Sequence, residues 1–300
     1  MDKYDITKTD LIVIVMGPTG SGKSTFIDHA TGGDGRDIGH SLKSTTHDII
    51  VRKTEIGAKP FAFVDTPGFN DTIRSDYEIL AEIAGFLVKA HQGGYQLNKI
   101  LYLHRISDNR MAGTPLKNLE LFASLCGNIA MPNVIIVTTM WSLVHDDIGD
   151  KRVQMLAGTF WKQMKEGGCH IERFDDNMDS AHMIALERGT RPNITLVTEE
   201  LVNKGKPLKS TEAGIILNKQ LDALLKEEKA ASLQLEQLSQ RQTNPEAKSH
   251  LESELQAIKK SIREKTLELQ RLNRSALGSI LRVFSRSQAP AIQGPSEELT

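Results

Sequence analysis

Apolar residues fall into short unbroken runs over the first two thirds of the chain and into spaced rows over the last third. Residues 11–16 form an Ile- and Val-rich run with no polar break, the mark of a strand covered on both faces. A Gly-rich turn follows, and then a helix-compatible segment at 23–30. Runs of the same kind recur at 61–64, 99–103 and 134–137, separated by helical patterns near 77–90, 116–125 and 151–165. Strands alternating with helices predict an α/β domain over residues 10–205, with a mostly parallel central sheet flanked by helices. Polar and apolar side chains alternate over 48–53, which predicts an edge strand, and 169–174 predict the last strand.

The spacing changes beyond Thr211. Leu217, Leu221, Leu224, Ala231, Leu235 and Leu238 recur at intervals of four and three, with Glu228 as a polar intruder. The row stops at Gln242-Thr243-Asn244-Pro245, because proline favours an extended residue before it and can open a new helix at its first turn. Leu251, Leu255, Ile258, Ile262, Leu269 and Leu272 repeat the spacing, with Lys265 intruding. Two rows of matched length joined by a tight turn predict an antiparallel α-helical coiled-coil hairpin over 211–274. A short apolar-basic segment (Ile280, Leu281, Arg282, Val283, Phe284, Arg286) and then Pro- and Ser-containing residues predict a disordered tail over 275–300. That segment carries too few apolar residues to favour a membrane surface over a frayed helix end.

Composition removes some classes of function. Three hundred residues, 39% apolar and 25% charged, suffice for one large core and an appendage. A formal net charge of -1 leaves no surplus of cations for a nucleic-acid backbone, so no nucleic-acid partner is expected. The two cysteines, Cys126 and Cys169, have no metal-ligand spacing and fit a reducing, cytoplasmic compartment. The acidic start and the lack of a long apolar run predict neither export nor a membrane span.

The first glycine-rich turn carries the chemistry. Gly17-Pro18-Thr19-Gly20-Ser21-Gly22-Lys23-Ser24 matches GxxxxGK[ST] directly after a buried strand and directly before a helix. Glycines let backbone N–H groups wrap a phosphate, and the helix start favours negative charge. Residues 17–25, Thr25 included, form the expected polyphosphate cradle, in which Lys23 bridges the terminal phosphates and Ser24 ligates Mg²⁺. Asp65-Thr66-Pro67-Gly68 ends the strand at 61–64. At the carboxyl edge of a parallel sheet Asp65 can reach the same cation, and the Gly68 N–H can read the γ-phosphate.

These two motifs, in this order, resemble those of P-loop GTPases of the translation-factor-related class. Gly17-Pro18-Thr19-Gly20 and the run Thr138-Thr139-Met140-Trp141 resemble the septin-like and immunity-associated branch, over about residues 10 to 200. The resemblance implies a GTP- or GDP-binding switch protein with Mg²⁺, in which a threonine between the motifs closes over the cation and the γ-phosphate. Thr46 is the expected switch residue, and Thr45 serves the same geometry one position earlier. Lys23, Thr46 and Gly68 would then act on the reacting phosphate, and Ser24, Thr46 and Asp65 would hold the metal. No further metal is expected, since neither His40, His47 nor any other histidine stands at zinc-ligand spacing.

Two departures shape the expectation. The guanine-reading Asn-Lys-x-Asp run is replaced by residues 138–141, which leaves the base open. Thr139 and Trp141 are candidates to line a base pocket, with core packing the competing reading for Trp141, and Asn177 of Asp175-Asp176-Asn177 is a candidate base contact. Phe69 stands where related enzymes place a water-orienting glutamine, so hydrolysis is expected to be slow unless a partner or a second copy supplies a group. Arg110 is a candidate interface charge for such a homodimer, and the hairpin is either a stalk or a docking site for a protein partner. The competing functions are a nucleotide-dependent scaffold with little hydrolysis and an ATP-binding P-loop protein.

Overall fold

The protein is described here from a computed structural model, which covers residues 1, 4–33, 48–69, 71, 74–187, 194–274 and 280. In chain order the elements are β1 (Leu11–Met16), α1 (Lys23–Thr31), β2 (Ile50–Ile56), β3 (Lys59–Asp65), α2 (Asp76–Gln92), β4 (Leu97–Arg105) and α3 (Thr114–Ala130). There follow β5 (Val134–Thr139), α4 (Asp146–Gly158), α5 (Lys162–Glu166), β6 (His170–Arg173), α6 (Met178–Leu186), the short α7 (Leu196–Thr198), α8 (Glu212–Arg241) and α9 (Pro245–Arg274). The strands form one sheet in the order β2-β3-β1-β4-β5-β6, parallel except for β2, which runs antiparallel to β3 at the edge.

Alternation along β1 explains its unbroken apolar run. Ile12, Ile14 and Met16 belong to the core layer beneath α2 and α3, whereas Val13 and Val15 pack on the other face with Phe26 of α1 and Ile184 of α6. With both faces covered, no strand position is left for a polar side chain. The helical pattern at 151–165 is two helices rather than one. The chain turns at Thr159 (φ -123°, ψ -89°) and drives Trp161 to full burial, where its ring meets His104 edge-on at 5.2 Å. That contact outweighs the continuity of the helix.

The two long helices make the expected hairpin. Thr211 caps α8 by accepting from the Gly214 N–H at 3.1 Å, and Asn244 Oδ1 accepts from Glu246 N at 2.9 Å where Pro245 opens α9. The base of the hairpin is not a free appendage: Leu208, Ala213, Leu217 and Leu221 join the core layer of the sheet, and Gln220 donates to the Lys117 carbonyl of α3 at 3.0 Å.

The seam between the helices is displaced from the predicted row. Leu225, Ser232 and Ser239 are buried, while Leu238 is 54% exposed. A spacing of four, four from Leu217 through Leu221 to Leu225 carries the seam one residue past Leu224, because a straight helix drifts relative to a 3.5-residue repeat. The two intruders answer each other, since Lys265 Nζ meets Glu228 Oε1 at 2.8 Å and Ser261 donates to the same oxygen at 2.9 Å.

The far end of α9 returns to the domain. Leu272 is fully buried in the core, Glu268 Oε1 accepts from Tyr77 N in the first turn of α2 at 2.7 Å, and Arg271 binds Glu78 at 2.6 Å. Burial pushes the Glu268 carboxyl up from 4.5 to about 7, with Asp76 and Glu78 adding to the rise and the Tyr77 N–H and Lys265 opposing it. Between those values the folded protein keeps a proton that the unfolded chain has lost, so stability falls as pH rises through that window. Urea unfolding at about pH 5 and about pH 7.5 checks this, and Glu268→Gln is expected to flatten the slope.

Candidate functional site

All the motif residues within the described part of the chain arrive at the carboxyl edge of the sheet. β1 runs into a loop in which Gly17, Gly20 and Gly22 have φ of 143°, 78° and 89°. At Gly17 the backbone passes so close to β4 that a Cβ would lie 2.6 Å from the Leu103 carbonyl oxygen, which excludes any other residue. Gly22 then caps α1 with no side-chain bond, and α1 has no acidic residue in its first turn. Its N-terminal N–H groups therefore keep their partial positive charge for an anion.

Lys23 points back into this loop. It is only 7% exposed, and its Nζ donates to the carbonyls of Gly17 at 3.2 Å and Pro18 at 3.1 Å. Burial pulls its ammonium below the ordinary lysine value, opposed by the charges of Asp65 and Asp71. One residue on, the Ser24 hydroxyl donates to Asp65 Oδ2 at 2.8 Å. Val15 of β1 stands opposite Asp65 of β3 in register, and this pairing brings the serine and the carboxylate together. A hydroxyl from the first turn of α1 and a carboxylate from the end of β3 are hard oxygen donors suited to Mg²⁺. Thr19 Oγ1 and Ser21 Oγ are buried without a hydrogen-bond partner among the described residues, so the loop holds polar capacity beyond what the fold uses. The donor set fits a polyphosphate with its cation.

The turn after β3 lies on this loop. Thr66 ties it down by donating to the Val15 carbonyl at 2.8 Å, Pro18 and Phe69 form an isolated parallel bridge, and Thr19 N donates to Phe69 O at 3.4 Å. A Cβ on Gly68 would fall 2.6 Å from Thr19 N. Phe69 is buried in the core layer and presents no polar atom on its side chain. Thr46 and Thr45, like His40, His47 and Asn70, lie outside the described residues.

Beside the loop, a cavity of about 470 Å³ is lined by residues that include Thr25, Met140, Trp141, Arg173, Asp175 and Asp176. Thr139 also lines it, but its hydroxyl serves the loop, donating to the Ser21 carbonyl at 2.9 Å. Trp141 is packed into the fold and also lines the cavity. It is 7% exposed, its Nε1 donates to Thr138, and its ring packs where a Cβ on Gly149 would touch it at 2.4 Å. Its other face carries the Arg173 guanidinium at 4.0 Å from the ring centroid, held there by Asp146 and Asp175.

Asn177 stands at the start of α6. It caps α6, accepting from Ser180 N at 2.9 Å, and its amide donates to the Asp175 carbonyl, whereas Asp175 and Asp176 are the residues of that loop that line the cavity. Arg110 is exposed at the surface. No motif in the sequence marks Arg173 or Asp146 as part of this wall. Only the left-handed backbone of Met140 (φ 61°), which turns the chain at the end of β5, and the pairing of β5 with β6 assemble that wall. Among the described residues no other group of His, Cys, Asp and Glu could hold a metal ion.

Fold and site together define a P-loop GTPase G domain. Residues 12–112 match the profile of the 50S ribosome-binding GTPase family. Among solved structures, Toc33 from Arabidopsis thaliana in complex with GDP and Mg²⁺ is 15% identical, with a TM-score of 0.45 over 64% of this chain and 90% of that one. Era from Aquifex aeolicus bound to GDP and AlF4⁻ is likewise 15% identical, with a TM-score of 0.43 over 61% of this chain and 57% of the other. No curated protein sequence matches the chain.

The contact of Gly68 with backbone rather than with a flexible side chain makes it a sensitive position. Gly68→Ala is expected to force the turn off Thr19 and to lower the stability of the nucleotide-free protein by about 1–3 kcal/mol, read from chemical unfolding.

Proposed function

We propose that this chain is a GTP-binding switch protein of the septin-like and immunity-associated type that hydrolyses GTP slowly. The observation that carries the reading is the convergence of the buried Lys23 ammonium, the Ser24–Asp65 pair and the Gly68 turn on one loop of inward-facing amides. Lys23 would neutralise charge on the β- and γ-phosphates, and the amides of residues 19–24 would orient them. Ser24 and Asp65, joined by Thr46 from the loop before β2, would hold Mg²⁺, which when bound neutralises the phosphate oxygens.

Guanine selection follows from the neighbouring cavity. A carboxylate accepts two hydrogen bonds from the N1–H and N2–H₂ edge of guanine and has no such partner on adenine. Asp146 and Asp175 are engaged by Arg173, while Asp176 faces only His29 among the described residues, across 3.5 Å, and stands 69% exposed at the cavity wall. Asp176 is therefore assigned as the guanine-reading carboxylate, in place of the one missing after β5. Arg173, already flat against Trp141, offers its outer face to stack on the base.

Slow turnover rests on Phe69. A buried phenyl ring cannot orient water, so acceleration requires a group from outside, such as a second copy paired through the nucleotide face. The two buried cysteines, with Cys169 pushed up to about 12 by burial, are unreactive thiols that suit a reducing cytoplasm. No helix among the described residues is long and apolar enough to cross a membrane.

Competition binding with GDP, ADP and their triphosphates tests the base reading. Guanine nucleotides are expected to bind about 100-fold more tightly, and Asp176→Asn to narrow the gap about tenfold with little loss for adenine. Equal affinity for both bases in the unmodified protein would favour the ATP-binding alternative. Phosphate release from GTP should be slow in dilute solution and rise with protein concentration; a rate per molecule independent of concentration would remove the second copy from the account.

A further inference from the structure

The helical layer over the sheet leaves a gap near the amino ends of β1 and β4. A cavity of about 200 Å³ is floored by Ile12 and Ile14 of β1 and walled by Phe86 and Leu87 of α2. Small side chains keep it open: Ala90 of α2 lines it together with Thr195 and Thr198 of the α7 turn, and α2 packs against α7 there. All seven residues are buried, none being more than 6% exposed. The interior does not suit water. The two threonine hydroxyls bond each other at 2.8 Å, and an ordered water needs several polar partners of its own. Since protein interiors are otherwise close-packed, an apolar gap of this size points to a guest.

The way α2 ends builds the mouth. Gly94 adopts φ 70°, Tyr95 N donates to the Ala90 carbonyl at 2.9 Å and Gly94 N to that of His91 at 3.0 Å, the paired bonds that close a helix at a left-handed glycine. This turn folds Tyr95 back over Gly93, where a Cβ would lie 2.7 Å from the ring, and sets it at the rim with the exposed His91 and Gln96. Lys8 reaches the same turn, its Nζ lying 3.6 Å from the place of a Cβ on Gly94. Among the described residues no Asp or Glu lines the cavity, and Asp10, two residues from Lys8, is already held by Thr7 N and Lys53. The rim thus offers a positive charge and N–H donors above an apolar interior. Directly after Thr198 the chain widens into a π-helical turn, Glu199–Asn203, a rare geometry that recurs at functional sites.

We propose that this cavity binds a linear aliphatic carboxylate of about eight carbons, with the chain laid between α2 and α7 and the carboxylate at the rim formed by Lys8 and His91. The length follows from the volume: a dry cavity of about 150 Å³ holds benzene, and about 200 Å³ holds about two carbons more. Phe86, Leu87, Ala90 and His91 follow one face of α2 towards the rim, a course that suits a chain. The headgroup stays at the mouth, because a carboxylate drawn into the interior would lose its hydration with nothing to replace it. Burial of the chain supplies affinity, and the rim selects an acid over a neutral head. The site lies apart from the P-loop and does not depend on its reading as a nucleotide site.

The test uses the full chain without nucleotide. Straight-chain carboxylates of about four to about twelve carbons, each below its micelle concentration, are titrated calorimetrically, and one-to-one binding is expected, with affinity rising about fourfold per carbon up to about eight carbons and no further. The alcohol of the best length is expected to bind about tenfold less tightly than the acid, and Lys8→Glu/His91→Glu to erase that difference. Ala90→Leu fills the gap; it is expected to lower affinity by about tenfold or more while leaving the thermal midpoint unchanged or raised. Should that variant not fold, Ile194→Trp at the half-buried rim narrows the entrance, with the same loss expected. Affinity that goes on climbing beyond about ten carbons marks partitioning onto the surface and overturns the site. A folded Ala90→Leu protein, or a folded Ile194→Trp protein in its place, with wild-type affinity overturns it, as does the lack of saturable binding by every member of the series. A preference for the acid that survives Lys8→Glu/His91→Glu overturns the assignment of the headgroup to this rim.

Discussion

The site is organised around one buried ammonium. Lys23 sits at the base of α1 where water is almost excluded, and a charge so placed must be matched by oriented dipoles or opposite charge. The carbonyls of Gly17 and Pro18 supply the first, and Asp65 and Asp71 the second. The loop can turn its carbonyls towards the lysine and its amides towards a ligand only because three glycines adopt positive φ and because Gly17 passes Leu103 without a side chain. Desolvation makes the unneutralised site expensive and its interaction with a polyanion correspondingly strong.

Everything else at the carboxyl edge is placed by strand order. β1 lies between β3 and β4, so Asp65 comes beside Ser24 from one side and Leu103 beside Gly17 from the other. β5 lies one strand further, which brings Thr139 under Ser21 and turns Met140 and Trp141 into the adjacent cavity. β6 adds Arg173 and the Asp175–Asp176 corner. Ligands of open α/β sheets bind at this edge for that reason: the loops that can change freely all emerge there from strands that cannot. The hairpin is drawn into the same system because α2, which follows the Gly68 turn, offers its first turn to α9.

Much of this was legible in the chain, and what was not has physical reasons. The run from Leu11 to Met16 declares a strand buried on both faces, and residues 17–24 and 65–68 declare a phosphate loop and its carboxylate, because tight backbone turns leave a local signature in glycine and proline. The cavity beside the loop leaves none. Trp141, Asp146 and Arg173 meet only through the pairing of β5 with β6, and a lone strand arginine carries no sign of the indole it covers. Asn177 serves as a helix cap, a local task that asparagine performs wherever a helix begins. In the hairpin, periodicity revealed the helices but not the seam, since a one-residue drift exchanges Leu224 and Leu238 for Leu225 and Ser239. Glu228 and Lys265, each an interruption within its own row, make sense only as a pair.

The most direct measurement is calorimetric titration of GDP with magnesium into the wild-type protein and into Lys23→Ala, with folding of both confirmed by circular dichroism. The account predicts saturable one-to-one binding to wild type and a loss of about 100-fold or more in the variant, equivalent to about 2.7 kcal/mol. A folded Lys23→Ala protein that retains wild-type affinity would contradict it.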